Sequence, residues 1–148
     1  MIIFLGSDHR GFDLKNIIAD YLKSKNIQYV DEGNQHLDNR DDFPQFAARV
    51  VNQIRASSDL DSRGILICGS GQGMCMAANR FKGIRASLCS SVNQARSVRN
   101  DDDSNVLCLA ADEVDLNEIK RIIDVWLITP FAAAPRYIRR LSELDQLG

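Results

Sequence analysis

The stretch Ile67-Cys68-Gly69-Ser70-Gly71-Gln72-Gly73-Met74-Cys75 sets a thiol and a hydroxyl among glycines at alternate positions, 69, 71 and 73. Backbone amides of such a loop can converge on an oxygen anion, reinforced by the N-terminus of a following helix. Cys68 stands at a strand-to-loop junction, where a thiol can be exposed and activated by that helix end. The loop lacks the GK[ST] of a P-loop, and Met74 stands where a dinucleotide fingerprint needs its third glycine. Three further groups have chemistry-bearing spacing. Asp8-His9 follows the first apolar run, and Arg136 and Arg140 stand four apart on one helix face, with Arg139 beside them. Paired guanidinium groups suit a phosphate because their forked donors match its oxygens. Asp101-Asp102-Asp103-Ser104-Asn105 imitates the start of a calcium loop, but Val106 occupies the place where that loop turns on glycine, so a charged loop ahead of a strand is the better reading. Each group also has a plain structural reading: a tight turn, a cap with a surface histidine, a solvated basic face.

The elements that must position these groups are visible as short apolar runs alternating with amphipathic stretches. Strands are predicted at Ile2–Gly6, Ile27–Asp31, Gly64–Cys68, Gly83–Leu88 and Asn105–Leu109. Between the first two, Phe12, Ile17, Ile18, Tyr21 and Leu22 fall on one helical face, and in the next segment Phe46, Val50, Val51 and Ile54 do so. This βαβ alternation predicts a parallel sheet covered on both sides by helices, a three-layer α/β fold whose ligands bind beyond the C-terminal ends of the strands. Strands one and three are commonly adjacent in such a topology, which brings Asp8 and His9 toward the edge that holds Cys68. Pro130 and Pro135 flank FAAA, ending a fifth helix over Asp115–Leu127 and opening a last one, Arg136–Leu144. A helix appended after a complete sheet often packs on a partner subunit.

The bulk composition narrows the partner. At 148 residues the chain fits one domain, residues 1–148, and its net charge of −2 offers no long-range attraction for nucleic acid or an anionic membrane. The first residues, MIIFLGSDHR, carry no basic leader, and no apolar run reaches 18 residues, so the expectation is a soluble, cytoplasmic protein with a small ligand. Cys68, Cys75, Cys89 and Cys108 lie 7, 14 and 19 residues apart, a spacing that fits neither a CxxC pair nor a zinc framework. The last three read as buried small hydrophobes.

Taken in order, GSDHRGFDLK at 6–15, DDFP at 41–44, ILICGSGQGM at 65–74, AANRFKGIRA at 77–86 and SNVL at 104–107 resemble the ribose-5-phosphate isomerase B family, over the whole chain. That family also contains allose-6-phosphate isomerases and the subunits of galactose-6-phosphate isomerase. The resemblance implies a Rossmann-like five-stranded parallel sheet, a homodimer or dimer of dimers with active sites shared between subunits, and an aldose–ketose isomerisation of a sugar phosphate needing no metal or organic cofactor. Carried across residue by residue, Cys68 matches the base that moves a proton between C1 and C2, and Ser70 the hydroxyl beside it. The amides of Gly69, Gly71 and Gly73 match the enediolate cradle, Asp8 and His9 the pair on the sugar, and Arg136 with Arg140 the pair that holds the phosphate from the neighbouring subunit. Four positions depart from the pattern. Asp101 stands where the family has its ring-opening histidine and Asp102 where asparagine is usual; Asp112 replaces an arginine or lysine, and Phe43 a common tyrosine. Asp101 as a substitute acid, ring opening by His9 or without help, and a changed task are the competing accounts. The last includes another aldose phosphate, a heteromeric partner that supplies the histidine, or a sugar-phosphate binder that does no chemistry. Retention of both arginines favours a homo-oligomer acting on ribose 5-phosphate.

Overall fold

A computed structural model describes residues 1–147. Five strands, β1 (Ile2–Ser7), β2 (Tyr29–Asp31), β3 (Ser62–Cys68), β4 (Ala86–Leu88) and β5 (Val106–Ala110), form one sheet in the order β2-β1-β3-β5-β4. Every pairing is parallel, so all five C-terminal ends share one edge. The helices are α1 (Phe12–Ser24), α2 (Phe43–Ala56), α3 (Gln72–Ala78), α4 (Val92–Asp102), α5 (Leu116–Ile128) and α6 (Pro135–Leu144), and a 3-10 turn at His9–Gly11 joins β1 to α1.

Side chains alternate across the sheet because the strand period is two. Ile3, Leu5, Ile65, Ile67, Leu107 and Leu109 face one way and pack with Ile18 and Leu22 of α1 and with Ile119, Ile122, Ile123 and Trp126 of α5. Phe4, Leu66, Cys68, Val106 and Cys108 face the other way, onto Phe46, Val50 and Val51 of α2 and Met74 and Ala78 of α3. Both faces are therefore apolar, as a sheet covered on two sides requires.

The two edge strands are shorter than their apolar runs predict. β2 begins at Tyr29, because Asn26 takes a left-handed conformation (φ 56°) and Ile27 N bonds back to Leu22 O, which spends the first residues of the run on closing α1. β4 begins at Ala86, three residues after Gly83 turns the chain at φ 82°. On α1, Ile17 is exposed rather than in the core, and Lys15 takes the inward place, fully buried. Its Nζ donates to an Asp31 Oδ2 at the end of β2 and to Asn34 O at 3.1 Å. α6 leans on α4 and buries none of its own residues. Among the described residues no helix is long and apolar enough to cross a membrane.

Candidate functional site

At the C-terminal edge of the sheet a cleft of about 390 Å³ is lined by Asp8, Arg10, Phe43, Cys68, Gly69, Ser70, Gly73, Asp112 and Glu113. Four separate loops meet there, so the sequence-predicted Asp8, Phe43, Cys68, Ser70 and two of the three glycines are brought together by the parallel topology.

Cys68 is the last residue of β3 and pairs with Ala110 of β5. That central position corrects the expectation of an exposed thiol: Cys68 is only 6% exposed, packs against the α2 and α3 layer, and lines the cleft. The chain leaves the sheet at once. Gly71 turns it at φ 72°, a left-handed conformation that L side chains rarely adopt, and α3 starts at the next residue. α3 has just seven residues, so the loop amides are its main offering to an anion. Ser70 Oγ accepts a hydrogen bond from Gln72 N at 3.4 Å, leaving its own proton to be donated elsewhere. Gly73 makes room for Phe43, whose ring atoms would lie 3.0 to 3.2 Å from a Cβ at that position. Phe43 opens α2 with Pro44 behind it and is 38% exposed at the cleft.

Asp8 leaves β1 and caps the 3-10 turn, its Oδ1 accepting from Arg10 N at 3.0 Å and Gly11 N at 3.1 Å. Burial pushes its carboxyl above the usual range, against the pull of the Gly11 amide and of His9. His9 is held twice by Asp41, through its backbone N at 2.9 Å and its ring Nδ1 at 2.8 Å to the same Oδ1. Asn34 Nδ2 braces the other Asp41 oxygen at 3.2 Å. The Asp41 hydrogen bond raises His9 above the ordinary histidine value, so the imidazolium persists to higher pH. Asp41 and Arg10 are site residues that the sequence reading did not single out. The DDFP run contained Asp41, yet nothing in its spacing tied it to a histidine 32 positions earlier.

Asp101, Asp102, Arg136 and Arg140 are not in this cleft. α4 starts where β4 ends and runs back along the sheet, so its last turn reaches the opposite, N-terminal edge. There Asp101 accepts from Asn100 Nδ2 at 2.7 Å. Asn100, Tyr137, Arg136 and Arg140 together hold the Asp101 carboxyl below its ordinary value, and Arg136 Nη2 donates to Tyr137 Oη at 2.9 Å. A substitute acid at Asp101 needs a raised carboxyl. Asp102 is raised, by burial and then by Asp101, while hydrogen bonds from Asn100 and Tyr137, followed by the two arginines, lower Asp101 itself. Asp103, the third of the run, turns the chain at φ 48° and pairs with Arg85 at 2.7 Å and Arg99 at 2.8 Å.

The thiols behind the loop differ from one another. Cys89 and Cys108 are buried and pushed up by it, Cys89 to about 12. Cys75 is half-buried rather than enclosed, and its hydrogen bond with Cys108 draws it down to about 7.

A doubly wound parallel sheet with a cysteine, a hydroxyl and a glycine loop at its carboxyl edge defines an α/β protein with a small-molecule site at the strand ends. Comparison with known proteins makes the assignment specific: residues 3–144 match the Ribose/Galactose Isomerase family, and the chain belongs to it. A protein of Mycoplasma genitalium named as a probable ribose-5-phosphate isomerase B is 43% identical over 142 residues, 96% of this chain and 92% of its own length. The ribose-5-phosphate isomerase B of Escherichia coli is 40% identical over 125 residues, 84% of this chain and 82% of that one. Among solved structures, a Mycoplasma genitalium ribose-5-phosphate isomerase B with bound ribulose 5-phosphate superposes with a TM-score of 0.92 at 41% identity, covering 98% of this chain and 94% of that one. The Clostridium thermocellum ribose-5-phosphate isomerase B gives 0.93 at 36% identity, over 99% and 97%.

Proposed function

We propose that this chain interconverts ribose 5-phosphate and ribulose 5-phosphate through an enediolate, with Cys68 as the base. The observation that carries the reading is the meeting, in one cleft, of a Cys68 thiol, the Ser70 hydroxyl and the amides of a left-turning glycine loop. Removing a proton alpha to a carbonyl needs a base in reach and fixed donors for the charge that develops. The Cys68 thiolate takes the proton from C2 of the open-chain aldose. The electron pair moves to the C1 carbonyl, whose oxygen is met by the loop amides and Ser70, while the proton on O2 passes to O1. Cys68 then returns its proton to C1, and the ketose leaves with every atom and electron accounted for. Asp8 and His9, flanking the cleft, contact the sugar hydroxyls.

Ring opening is assigned to His9 rather than to Asp101. A carboxylate held low by hydrogen bonds from Asn100 and Tyr137, with two arginines nearby, is a poor proton donor at neutral pH, whereas an imidazolium stabilised by Asp41 is a good one. Phosphate binding falls to Arg136 and Arg140 of a second copy. Within one chain the sheet separates them from Cys68: the seven residues of β3 alone cover roughly 20 Å at ~3.3 Å per residue, farther than a pentose phosphate reaches. An apolar face of Pro44, Ala48, Met76, Ala77 and Phe81 adjoins the cleft, with Met76 66% exposed, and supports assembly of homodimers or dimers of dimers there. A charged sugar phosphate as substrate also supports a cytoplasmic location.

The test is turnover of ribose 5-phosphate by the purified protein, followed as ketose formation, beside Cys68→Ala. The variant is expected to lose at least a thousandfold in kcat; normal turnover by it would remove Cys68 from the role of base. Thiol labelling that accompanies the assay belongs in a Cys75→Ser background, because the Cys75 thiol is drawn down to about 7.

A further inference from the structure

We infer that Arg10 is a substrate-contacting residue, held over the glycine loop by Asp112 so that its guanidinium meets an anionic oxygen of the bound sugar phosphate. The inference rests on the isomerase reading above and adds to it a cation that belongs to the Cys68 half of the site.

Arg10 sits on the turn after β1 and Asp112 in the loop after β5, the two strands that flank β3. Both are fixed by main chain. Asp8 Oδ1 takes the Arg10 amide at 3.0 Å, and Asp112 N donates to Gly69 O at 3.0 Å while Ala111 N donates to Cys68 O at 2.9 Å. Between these anchors Arg10 Nη2 donates to Asp112 Oδ2, bridging 102 positions of sequence. The bridge crosses directly over Gly69: a Cβ there would lie 2.7 Å from Asp112 Oδ2 and 2.8 Å from Arg10 Nε. A side chain at 69 would thus displace the pair, and glycine leaves room for it.

Charge makes the pair more than a brace. Among the described residues lining the cleft, Asp8, Asp112 and Glu113 are acids and Arg10 is the one cation. Within one chain Arg10 is therefore the lining cation that offsets these acids toward an anionic sugar oxygen, in addition to the His9 imidazolium at the flank and the arginines assigned to a second copy. Arg10 has five N–H donors and spends one on Asp112; its side chain lines the cleft and is 58% exposed, so donors remain for a ligand. The resemblance places an arginine or lysine at position 112, where this chain has an acid. Here the cation approaches the same loop from position 10, and Asp112 serves as the positioning residue that orients its fork.

The decisive variant is the neutral pair Arg10→Gln/Asp112→Asn, which removes the cation without leaving Asp112 unpaired in the cleft. It is expected to keep the wild-type thermal midpoint and oligomeric state and to lose at least tenfold in kcat/KM for ribose 5-phosphate. A fall in kcat at constant KM assigns the contact to the enediolate, and a rise in KM alone assigns it to the phosphate. Asp112→Asn by itself, which keeps the cation but frees its fork, is expected to lose a few-fold. A neutral pair with wild-type kcat/KM overturns the inference and leaves Arg10 a structural ion pair. If that variant does not fold, a second neutral pair, Arg10→Met/Asp112→Ala, decides: wild-type kcat/KM overturns the inference, and a loss of tenfold or more sustains it. Wild-type protein inert toward ribose 5-phosphate overturns this inference together with the functional reading beneath it, whereas active wild type with an equally active neutral pair overturns this inference alone.

Discussion

His9 shows how a single contact sets a working pH. Its pKa is raised chiefly by the Asp41 hydrogen bond, so the charged ring and its contact are fully present below the ordinary histidine value and are lost as pH rises through the higher folded value. Asp41→Asn keeps the shape and removes the carboxylate. With ring-closed ribose 5-phosphate as substrate, the alkaline limb of kcat should move to lower pH in that variant; an unmoved limb would mean that His9 is not the ring-opening acid. Much of this site was legible in the sequence, because strand-end loops are few and a thiol beside alternating glycines is rare. The strand-end rule nominates the loops that hold all of these residues; within them residue chemistry picks out Cys68 and Asp8, and the family resemblance adds Ser70 and Phe43. Neither route singles out Asp41 or Arg10, since what gives each its role is one partner far away in sequence, and no local period encodes that distance.

At the scale of elements, the paired apolar runs specify the three inner strands well, since β1, β3 and β5 are buried on both faces. The edge strands were overestimated because turn residues, Asn26 and Gly83, claim part of each run. Lys15 was hidden for another reason: a lysine on a helix reads as solvated, yet here it is fully enclosed and joins α1 to the end of β2 through Asp31. Breaking a buried ion pair costs more than losing an exposed one, because the remaining charge keeps its desolvation penalty. Lys15→Met should therefore destabilise the fold by about 3 kcal/mol in urea unfolding. A loss below about 1 kcal/mol would show that the pair breaks even with apolar packing.

For the whole molecule, the parallel sheet puts Cys68 and the Arg136–Arg140 helix at opposite edges of one chain. A site shared between copies makes a sharp forecast for mixtures. Cys68→Ser and Arg140→Met chains should each be nearly inactive alone. Mixed one to one with subunit exchange, they should recover about a quarter of wild-type activity, since half the dimers then carry one intact site of two. Absence of recovery, with exchange verified, would place both halves within one chain. The separation of the two edges carries a further consequence. When catalysis needs two copies, turnover per chain obeys the law of mass action: it holds steady while assembly is saturated and falls on dilution below the dissociation constant of the dimer. Substrate bound across the junction would lower that constant, so pairs would survive greater dilution and the sugar phosphate itself would act as the fastener of the enzyme that consumes it.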